Sequence, residues 1–443
     1  MTEQNEIANG NLQDEGLKRV IGVKALTFNA VNLTVGAGIF ALPAVVAVYA
    51  GAAAFWAYIF CTVLLCLVLL CFIEVGSKVY GSGGAYAYIE AAFGPFAGFL
   101  ANTFYWFLFS SLALAAVANV MADNLGIYFP LLQQQFYRII FFAIIFGGLI
   151  LLNIKGSKES SVFVIIVTVI KLLPIILLIL FGLSYVQPEN LQITQQPSIT
   201  DLGQASLVLF FAFGGGAESA LSASGEIINP KRTIPRGILF GVLIVFIIYL
   251  SVQMVAQGVL GDTLPLEQEA PLAKVSEVIF GSYGVMFMVF AAAFSCFALI
   301  SGDILAASRL PYAAAKDGLL PSFLAKLHPD YRTPYYSIIF YAVVTFLFAI
   351  SGGFRQLAIL SSAAILLIYV GVIAATIKLR KYKVDGAYTN PGGITIPVLA
   401  LIATLWFLSN LALNEILATV AFLFLISAVY FVMRKMKKKR SGR

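Results

Sequence analysis

The sequence predicts an all-α polytopic membrane protein with twelve transmembrane helices, and its composition, its apolar runs and the placement of its charges all favour this class. Of its 443 residues, 60% are hydrophobic and only 11% are charged, whereas soluble proteins typically carry about 25% charged residues. This composition excludes an ordinary soluble globular protein. It leaves a chain that buries most of its surface in lipid or against its own helices.

Twelve apolar runs have about the length that a helix needs to cross a bilayer. The fourth and the ninth are the shortest. The predicted spans cover residues 25–50, 52–76, 97–122, 138–153, 160–184, 203–225, 237–259, 281–305, 335–351, 357–378, 392–412 and 414–433. Between them, the polar or acidic segments 185–202 and 260–280 are predicted to be solvated outer loops.

The basic residues predict the orientation of these spans. With the N-terminus in the cytoplasm, 24 of the 28 lysines and arginines fall on the inner side, as the positive-inside rule requires. We therefore expect residues 1–20 and 434–443 to be cytoplasmic tails that flank one membrane domain over residues 21–433. The net charge of +7 follows from this topology, so nucleic-acid binding is not predicted.

Two glycine clusters interrupt predicted spans, one in the first span and one in the sixth. Val35-Gly36-Ala37-Gly38-Ile39-Phe40 lies in the first, and Gly214-Gly215-Gly216 lies in the sixth. Glycine is a poor helix former, and a helix break at membrane depth is tolerated only where it is buried in protein or lines a cavity. Matched breaks in two halves of a chain indicate a binding site near the bilayer midplane. Close helix packing is the alternative reading of the first cluster and, taken alone, is equally favoured.

Each break would present bare peptide groups to a bound molecule. The N–H groups of Ala37, Gly38 and Ile39 begin a half-helix, and a helix N-terminus favours an anion such as a carboxylate. The half-helices that end near Thr34 and Phe213 expose carbonyl oxygens, which suit an ammonium group. The two breaks together therefore favour a zwitterionic ligand.

Four stretches of the chain resemble the amino acid-polyamine-organocation (APC) superfamily of permeases, most closely the bacterial amino-acid permeases and the arginine–agmatine antiporter type. They occur in the expected order and topological places: Gly36-Ala37-Gly38-Ile39-Phe40-Ala41-Leu42-Pro43, Gly83-Gly84-Ala85-Tyr86-Ala87-Tyr88 with Phe93-Gly94-Pro95, Glu226 to Arg236, and Ser308-Arg309 to Pro321. The likeness covers roughly residues 20–380. It implies a LeuT-like 5+5 inverted repeat of helices 1–5 and 6–10, with helices 11–12 added and alternating-access transport of amino acids.

The resemblance also assigns roles to individual residues. The family's zwitterion clamp maps onto Thr34, Ala37, Gly38, Ala212 and Gly215. Asn102 matches a polar pocket residue of the antiporter type, with a hydrogen bond between helices as the alternative. Glu218 matches a position linked to gating or proton sensing. The chain departs from the family near Gly216, where relatives usually have an aromatic residue, so the pocket is either wider here or filled by another aromatic side chain.

Lys171 is a charged residue at the centre of the fifth predicted span. A lysine at mid-membrane costs roughly 2.5–3.5 kcal/mol on insertion scales, and its helix extends too far in both directions for the side chain to reach either surface. The amine must therefore face polar partners. In some similar permeases a lysine here stands where sodium-coupled relatives hold sodium. Lys171 is then expected to bridge spans one and eight near Gly36 and residues 295–301, and to take part in proton coupling.

Asp303 is a second charge at membrane depth, in the eighth predicted span. Its carboxylate could attract a cationic substrate side chain, or it could form a buried neutral pair with Lys171. The pair with Lys171 is the slightly favoured prediction.

The sequence as a whole indicates a secondary active amino-acid transporter in a bacterial inner membrane, working as a proton-coupled symporter or an exchanger. A sodium-coupled transporter of the same fold is the nearest alternative, and Lys171 disfavours it. An intramembrane aspartyl enzyme around Ser301-Gly302-Asp303 and a channel are weaker alternatives. Neutral, branched and cationic amino acids all remain possible substrates.

No cofactor, metal ion or catalytic residue is predicted, and the expected partners are the amino acid, possibly protons, and the lipid bilayer. The four cysteines fall in predicted spans. A disulfide-linked accessory subunit is therefore not expected. They are Cys61, Cys66, Cys71 and Cys296.

Overall fold

The computed structural model describes residues 22–79, 84–155, 161–216, 218, 227–382 and 388–441, with the backbone alone described for 161–170, 230–231 and 437–441. The predicted N-terminal tail, residues 1–20, lies outside these ranges. So do Gly83 and Glu226 of the stretches that resemble the permeases. Throughout the described ranges the chain forms helices and turns, without a β-strand.

Eight α-helices and one π-helical segment lie in the N-terminal part of the described chain. They are α1 (Val23–Thr34), α2 (Leu42–Ala50), α3 (Phe55–Gly76), α4 (Gly84–Phe93), α5 (Pro95–Thr103), the π segment (Phe104–Ser110), α6 (Ser111–Gly126), α7 (Gln135–Lys155) and α8 (Ser161–Gly182). Short 3-10 turns cover Ala37–Phe40, Gly51–Ala54, Pro130–Gln133, Leu183–Tyr185 and Pro188–Leu191.

The remaining eight described α-helices lie between residues 199 and 441. They are α9 (Ile199–Phe213), α10 (Pro230–Leu260), α11 (Pro271–Ala307), α12 (Arg309–Lys316), α13 (Tyr335–Ser351), α14 (Phe354–Leu379), α15 (Thr395–Leu408) and α16 (Leu413–Ser441), with 3-10 turns at Gly261–Leu266 and Ser322–Ala325.

The lengths of these helices suit a bilayer. A described helix overlaps each of the twelve predicted segments. Seven helical stretches in the described ranges are long and apolar enough to cross a membrane, since about 20 apolar residues span the hydrocarbon core. They are Leu42–Gly76, Pro95–Gly126, Gln135–Lys155, Arg232–Leu266, Pro271–Lys316, Phe354–Leu379 and Leu413–Met436. The protein is therefore an all-helical, multi-pass membrane protein.

The prediction that residues 260–280 form a solvated loop is wrong for their second half. Helix α11 already begins at Pro271 and continues past a kink at Gly281, whose φ is 67°. Leu272, Val275 and Ile279 are buried at helical spacing, while the pair Lys274–Glu277 lies on the exposed face. The acidic residues Asp262, Glu267 and Glu269 in the first half concealed the amphipathic pattern of the second half.

The packing of the helices brings both breaks to the centre of the protein. Helix α1 packs along α10, and α9 packs against α2 and α3. Helix α11 lies between α6 and α8 and also contacts the 3-10 turn that begins at Ala37. The interrupted segments are thus enclosed by other helices, which is where broken helices at membrane depth are tolerated.

A buried ion pair joins the end of α3 to the residue that follows α14. Arg380 donates from Nε and one terminal nitrogen to the two carboxylate oxygens of Glu74, each at 2.6 Å. Glu74 also accepts a hydrogen bond from the backbone N–H of Asn390, at 3.1 Å. The side chain of Glu74 is only 1% exposed, so these three donors replace its lost hydration.

Candidate functional site

The first helix break lies where the glycine cluster predicts it. Helix α1 ends at Thr34, Val35 and Gly36 leave helical geometry, and a 3-10 turn starts at Ala37 before the chain continues into α2. The first N–H groups of a helical segment have no partner within it. Those of Ala37 and Gly38 lie where the chain borders an internal cavity.

The second glycine cluster also ends a helix where the sequence predicts it. Helix α9 ends at Phe213, and Gly214–Gly216 form a turn in which Gly215 has a φ of 85°. This left-handed conformation favours glycine. A Cβ atom at Gly215 would also collide with the ring of Phe109. Only a glycine fits there without displacing that ring.

The two breaks touch each other. A Cβ atom on Gly216 would lie 2.5 Å from Thr34 Oγ1, 2.7 Å from Thr34 Cα and 2.9 Å from Thr34 N. The backbone of the second break therefore packs directly on the end of α1. The absence of a side chain at Gly216 permits this approach.

A cavity of about 440 Å³ lies at this junction, within the usual size range of small-molecule sites. Most predicted site residues line it: Thr34, Gly36, Ala37, Gly38, Lys171, Ala212, Gly214, Gly215, Gly216 and Asp303. A cavity of this size is large enough for a free amino acid.

Four predicted residues do not line the cavity. Ile39 and Phe213 are fully buried in the packed core, and the Phe213 ring contacts Tyr249 with centroids 5.5 Å apart. Asn102 lies on α5, away from the cavity, with a buried Oδ1 that has no hydrogen-bond partner among the described residues. The fourth, Glu218, is buried behind the second break.

The carbonyl groups at the end of α1 are less available than predicted. The Thr34 carbonyl accepts hydrogen bonds from Gly36 N–H at 2.9 Å and from the Tyr249 hydroxyl at 3.4 Å, so the bare carbonyl predicted there is wrong. The Thr34 hydroxyl donates to the carbonyl of Ala30. Tight turning of the chain at Gly36 brings its own N–H back onto Thr34.

Lys171 is buried, with 7% of its surface exposed. Its Nζ donates to the carbonyl of Asn32 at 2.7 Å, which ties α8 to the last turn of α1. The predicted contact with the first span is therefore present. A hydrogen bond from Lys171 to α11 is not found in the described chain, although Ser295 and Leu299 of α11 line the same cavity.

Asp303 has hydroxyl partners rather than Lys171. Its Oδ2 accepts hydrogen bonds from Ser110 Oγ at 2.9 Å and from the Tyr341 hydroxyl at 2.6 Å. The described residues contain no ion pair between Asp303 and Lys171, so the favoured pairing was wrong. The physical reason is that the π segment and α13 bring two hydroxyl donors to the carboxylate, while Lys171 is held on α1.

Glu218 connects the second break to α14. Its Oε1 accepts a hydrogen bond from the Gly215 N–H at 2.8 Å and another, very close, from the Tyr369 hydroxyl. Its Oε2 is buried without a partner in the described chain. The carboxylate thereby fixes the conformation of the turn, although it does not face the cavity.

Several polar and aromatic residues of the site were not predicted from the sequence. Tyr105, Phe109, Ser110, Phe211 and Tyr249 all line the cavity. Three of them come from the π segment, whose wider turn changes which residues face inward and is often found at functional sites. Phe109 and Phe211 are the aromatic rings nearest the glycines, since a Cβ at Gly38 would lie 3.1 Å from Phe211.

Comparisons with known proteins give the family. A family model described as amino acid permease matches residues 21–437. The serine/threonine exchanger SteT of Bacillus subtilis is 27% identical, with 96% of this chain and 99% of that protein covered. The branched-chain amino acid permease BcaP of the same organism is also 27% identical, over 96% of this chain and 95% of its own.

A further relative, the methylthioribose transporter of Bacillus subtilis, is 26% identical over 96% of each chain. These relatives are named for transport, and none is named for catalysis. Because the family model spans nearly the whole chain and the fold is a multi-pass helical one, the protein is a transporter that belongs to the amino acid permease family of the APC superfamily.

Proposed function

We propose that this protein is a secondary active transporter that carries an amino acid by alternating access. The observation that carries the proposal is the contact between the two helix breaks at Thr34 and Gly216, beside a cavity of about 440 Å³. Peptide groups freed from two helices meet there, and a dipolar solute is the ligand that they suit.

The substrate carboxylate binds at the N–H groups of Ala37 and Gly38, at the positive end of the first break. The ammonium group binds at the end of α9. The last carbonyls of a helix lack partners within it, and Phe211 and Ala212 border the cavity. Gly36, Gly214, Gly215 and Gly216 keep these backbone groups accessible.

The finer architecture that we propose is twelve transmembrane helices in a 5+5 inverted repeat, with α15 and α16 as the added pair. The contacts between helices support it, because two contacts have a counterpart when each helix is replaced by the corresponding helix of the other repeat. The α1–α10 contact becomes α9–α3, and the α8–α11 contact becomes α14–α6. The membrane domain is residues 21–433.

Both termini, residues 1–20 and 434–443, are proposed to lie in the cytoplasm of a bacterial cell. The positive-inside distribution of lysine and arginine supports this orientation. All four cysteines fall in predicted membrane spans, so transport is proposed without a disulfide-linked accessory subunit. A cysteine-accessibility scan of engineered positions in both tails would test the orientation, and labelling from outside intact cells would contradict it.

Coupling is proposed to be by proton symport or by exchange, with Lys171 as the coupling residue. Its Nζ donates a hydrogen bond of 2.7 Å to the Asn32 carbonyl, which places its charge near the first break. Uptake into proteoliposomes, with and without sodium and with and without a pH gradient, separates this from sodium coupling. Lys171→Ala is expected to lose the proton dependence. Unchanged dependence would remove the lysine from the mechanism.

Glu218 is proposed to act in gating. It holds Gly215 and Tyr369 together, so loss of either contact would free the turn that borders the cavity. The relatives include an exchanger and a permease, and both modes require such a movable element.

Counterflow in liposomes tests the proposal as a whole. Purified protein is reconstituted with a high internal concentration of one unlabelled amino acid, and transient accumulation of the labelled amino acid is followed across a panel. Saturable accumulation is expected for at least one of them. Flux that does not saturate would indicate a channel, and the absence of flux for every amino acid would contradict the assignment.

A further inference from the structure

Asp303 is a carboxylate at the wall of the cavity, and no lysine or arginine among the described residues forms an ion pair with it. The described residues place two hydroxyl groups, Ser110 and Tyr341, on its Oδ2 at 2.9 and 2.6 Å. These hydroxyls also lie 2.7 Å from each other. The cluster holds one oxygen of the carboxylate firmly and fixes the orientation of the group.

The other carboxylate oxygen, Oδ1, accepts no hydrogen bond from the described protein. It is also not among the buried polar atoms that lack a partner, because Asp303 lines the cavity and keeps part of its surface accessible there. Gly302, which precedes Asp303 and lines the same cavity, also borders open space, since a Cβ atom there would meet nothing within 4 Å. Oδ1 is thus an acceptor open to whatever occupies the cavity.

A buried charge is normally paired or fully hydrogen-bonded, because removing it from water is costly. Lys171 does not supply the pair, since it is bound to Asn32. The α-carboxylate and α-ammonium groups of the substrate are assigned to the two breaks. A hydrogen bond to Oδ1 must therefore come from a donor group on the substrate side chain.

We propose that Asp303 selects substrates whose side chain donates a hydrogen bond, through the carboxylate oxygen left open by Ser110 and Tyr341. This inference rests on the proposed amino-acid transport and names its substrate class. The donor is a hydroxyl group or an ammonium group, because either satisfies the same oxygen. Aliphatic side chains of equal size leave it unsatisfied, and a site with an unpaired polar group rejects such analogues strongly.

Isosteric amino-acid pairs test the proposal in the counterflow assay. Threonine is compared with valine, and ornithine with norleucine, so that each pair differs by the donor group at nearly constant size. The wild-type protein is expected to prefer the donor member of at least one pair by about tenfold or more. The pair that shows the preference identifies the donor as hydroxyl or ammonium.

Asp303→Asn then removes the charge and keeps the shape. The preference within the responsive pair is expected to fall at least fivefold, while transport of the aliphatic member changes little. Asp262→Asn, in the exposed outer turn Gly261–Leu266, is the matched control and should leave the ratio unchanged. A change in folding alone would lower both members of a pair together.

Equal or better transport of valine and norleucine by the wild-type protein would overturn the selection by Asp303 while leaving amino-acid transport intact. An unchanged ratio in Asp303→Asn would overturn it as well. If Asp303→Asn does not fold, Ser110→Ala is measured in its place, because loss of a hydroxyl that holds Oδ2 should also lower the preference, and an unchanged ratio there would overturn the proposal. If no amino acid shows counterflow, the proposed function fails and this inference falls with it.

Discussion

Replacing Gly216 by alanine perturbs the contact between the two helix breaks with a single methyl group. The added Cβ atom would lie 2.7 Å from Thr34 Cα and 2.9 Å from Thr34 N. Both are backbone atoms and cannot rotate away as a side chain would. The two breaks must separate for the methyl group to fit.

The size of the effect follows from these distances. Ordinary contacts of a Cβ atom begin at 3.4 Å, so the breaks must move apart by about 0.7 Å. Overpacking of this kind costs roughly 1–3 kcal/mol, which corresponds to about 5- to 150-fold in an equilibrium constant. If bound substrate requires both breaks in contact, substrate affinity should fall by a factor in this range.

The assay is equilibrium binding of a labelled amino acid that the wild-type protein transports, together with the melting temperature of each variant. Gly148→Ala is the matched control, because Gly148 is exposed on α7 and a Cβ atom there meets nothing within 4 Å. It should bind as the wild type does. If Gly216→Ala has the same affinity and melting temperature as the wild-type protein, the close contact between the breaks is refuted.

Three further changes have defined outcomes. Glu74→Gln leaves Arg380 without its ion pair and should lower the free energy of unfolding by about 3 kcal/mol. Glu277→Gln is the control, because its pair with Lys274 is about half exposed. It should lower the free energy of unfolding by less than about 1 kcal/mol. Chemical denaturation in detergent measures both, and equal losses would contradict the burial assigned to Glu74. Gly302→Ala adds a methyl group to open space and should reduce competition by large amino acids more than by small ones. An unchanged size profile in competition binding would show that this part of the cavity is not used. Tyr369→Phe removes the hydroxyl donor to Glu218 and should lower the free energy of unfolding by roughly 1–3 kcal/mol. It should also change the rate of counterflow more than the affinity, and identical rates would remove the pair from gating.

The sequence predicted correctly where helices α1 and α9 end, because glycine is a poor helix former and a helix break at membrane depth is tolerated only within protein or at a cavity. Helix α1 ends at Thr34 and α9 at Phe213, as expected. Lys171 was likewise expected to have a polar partner, since an amine at mid-membrane requires one. Its observed partner is a backbone carbonyl, which leaves no trace in the sequence.

The rest of the site depends on geometry that a linear pattern does not contain. The π segment determines that Tyr105, Phe109 and Ser110 face the cavity while Asn102 does not, and no residue type marks such a segment. The partners of Asp303 come from α13 and the π segment, far apart in sequence. The pairing of Asp303 with Lys171 was predicted from charge alone, because the sequence does not show which hydroxyl groups lie near the carboxylate.

Binding of substrate analogues that each lack one charge tests the central claim most directly. A transported amino acid is compared with its carboxamide, which lacks the carboxylate, and with its N-acetyl derivative, which lacks the ammonium group, in competition for the labelled amino acid. The two breaks are proposed to bind both charges, so each analogue should compete at least tenfold more weakly than the parent. Undiminished competition by either analogue would contradict a site built from the two interrupted helices.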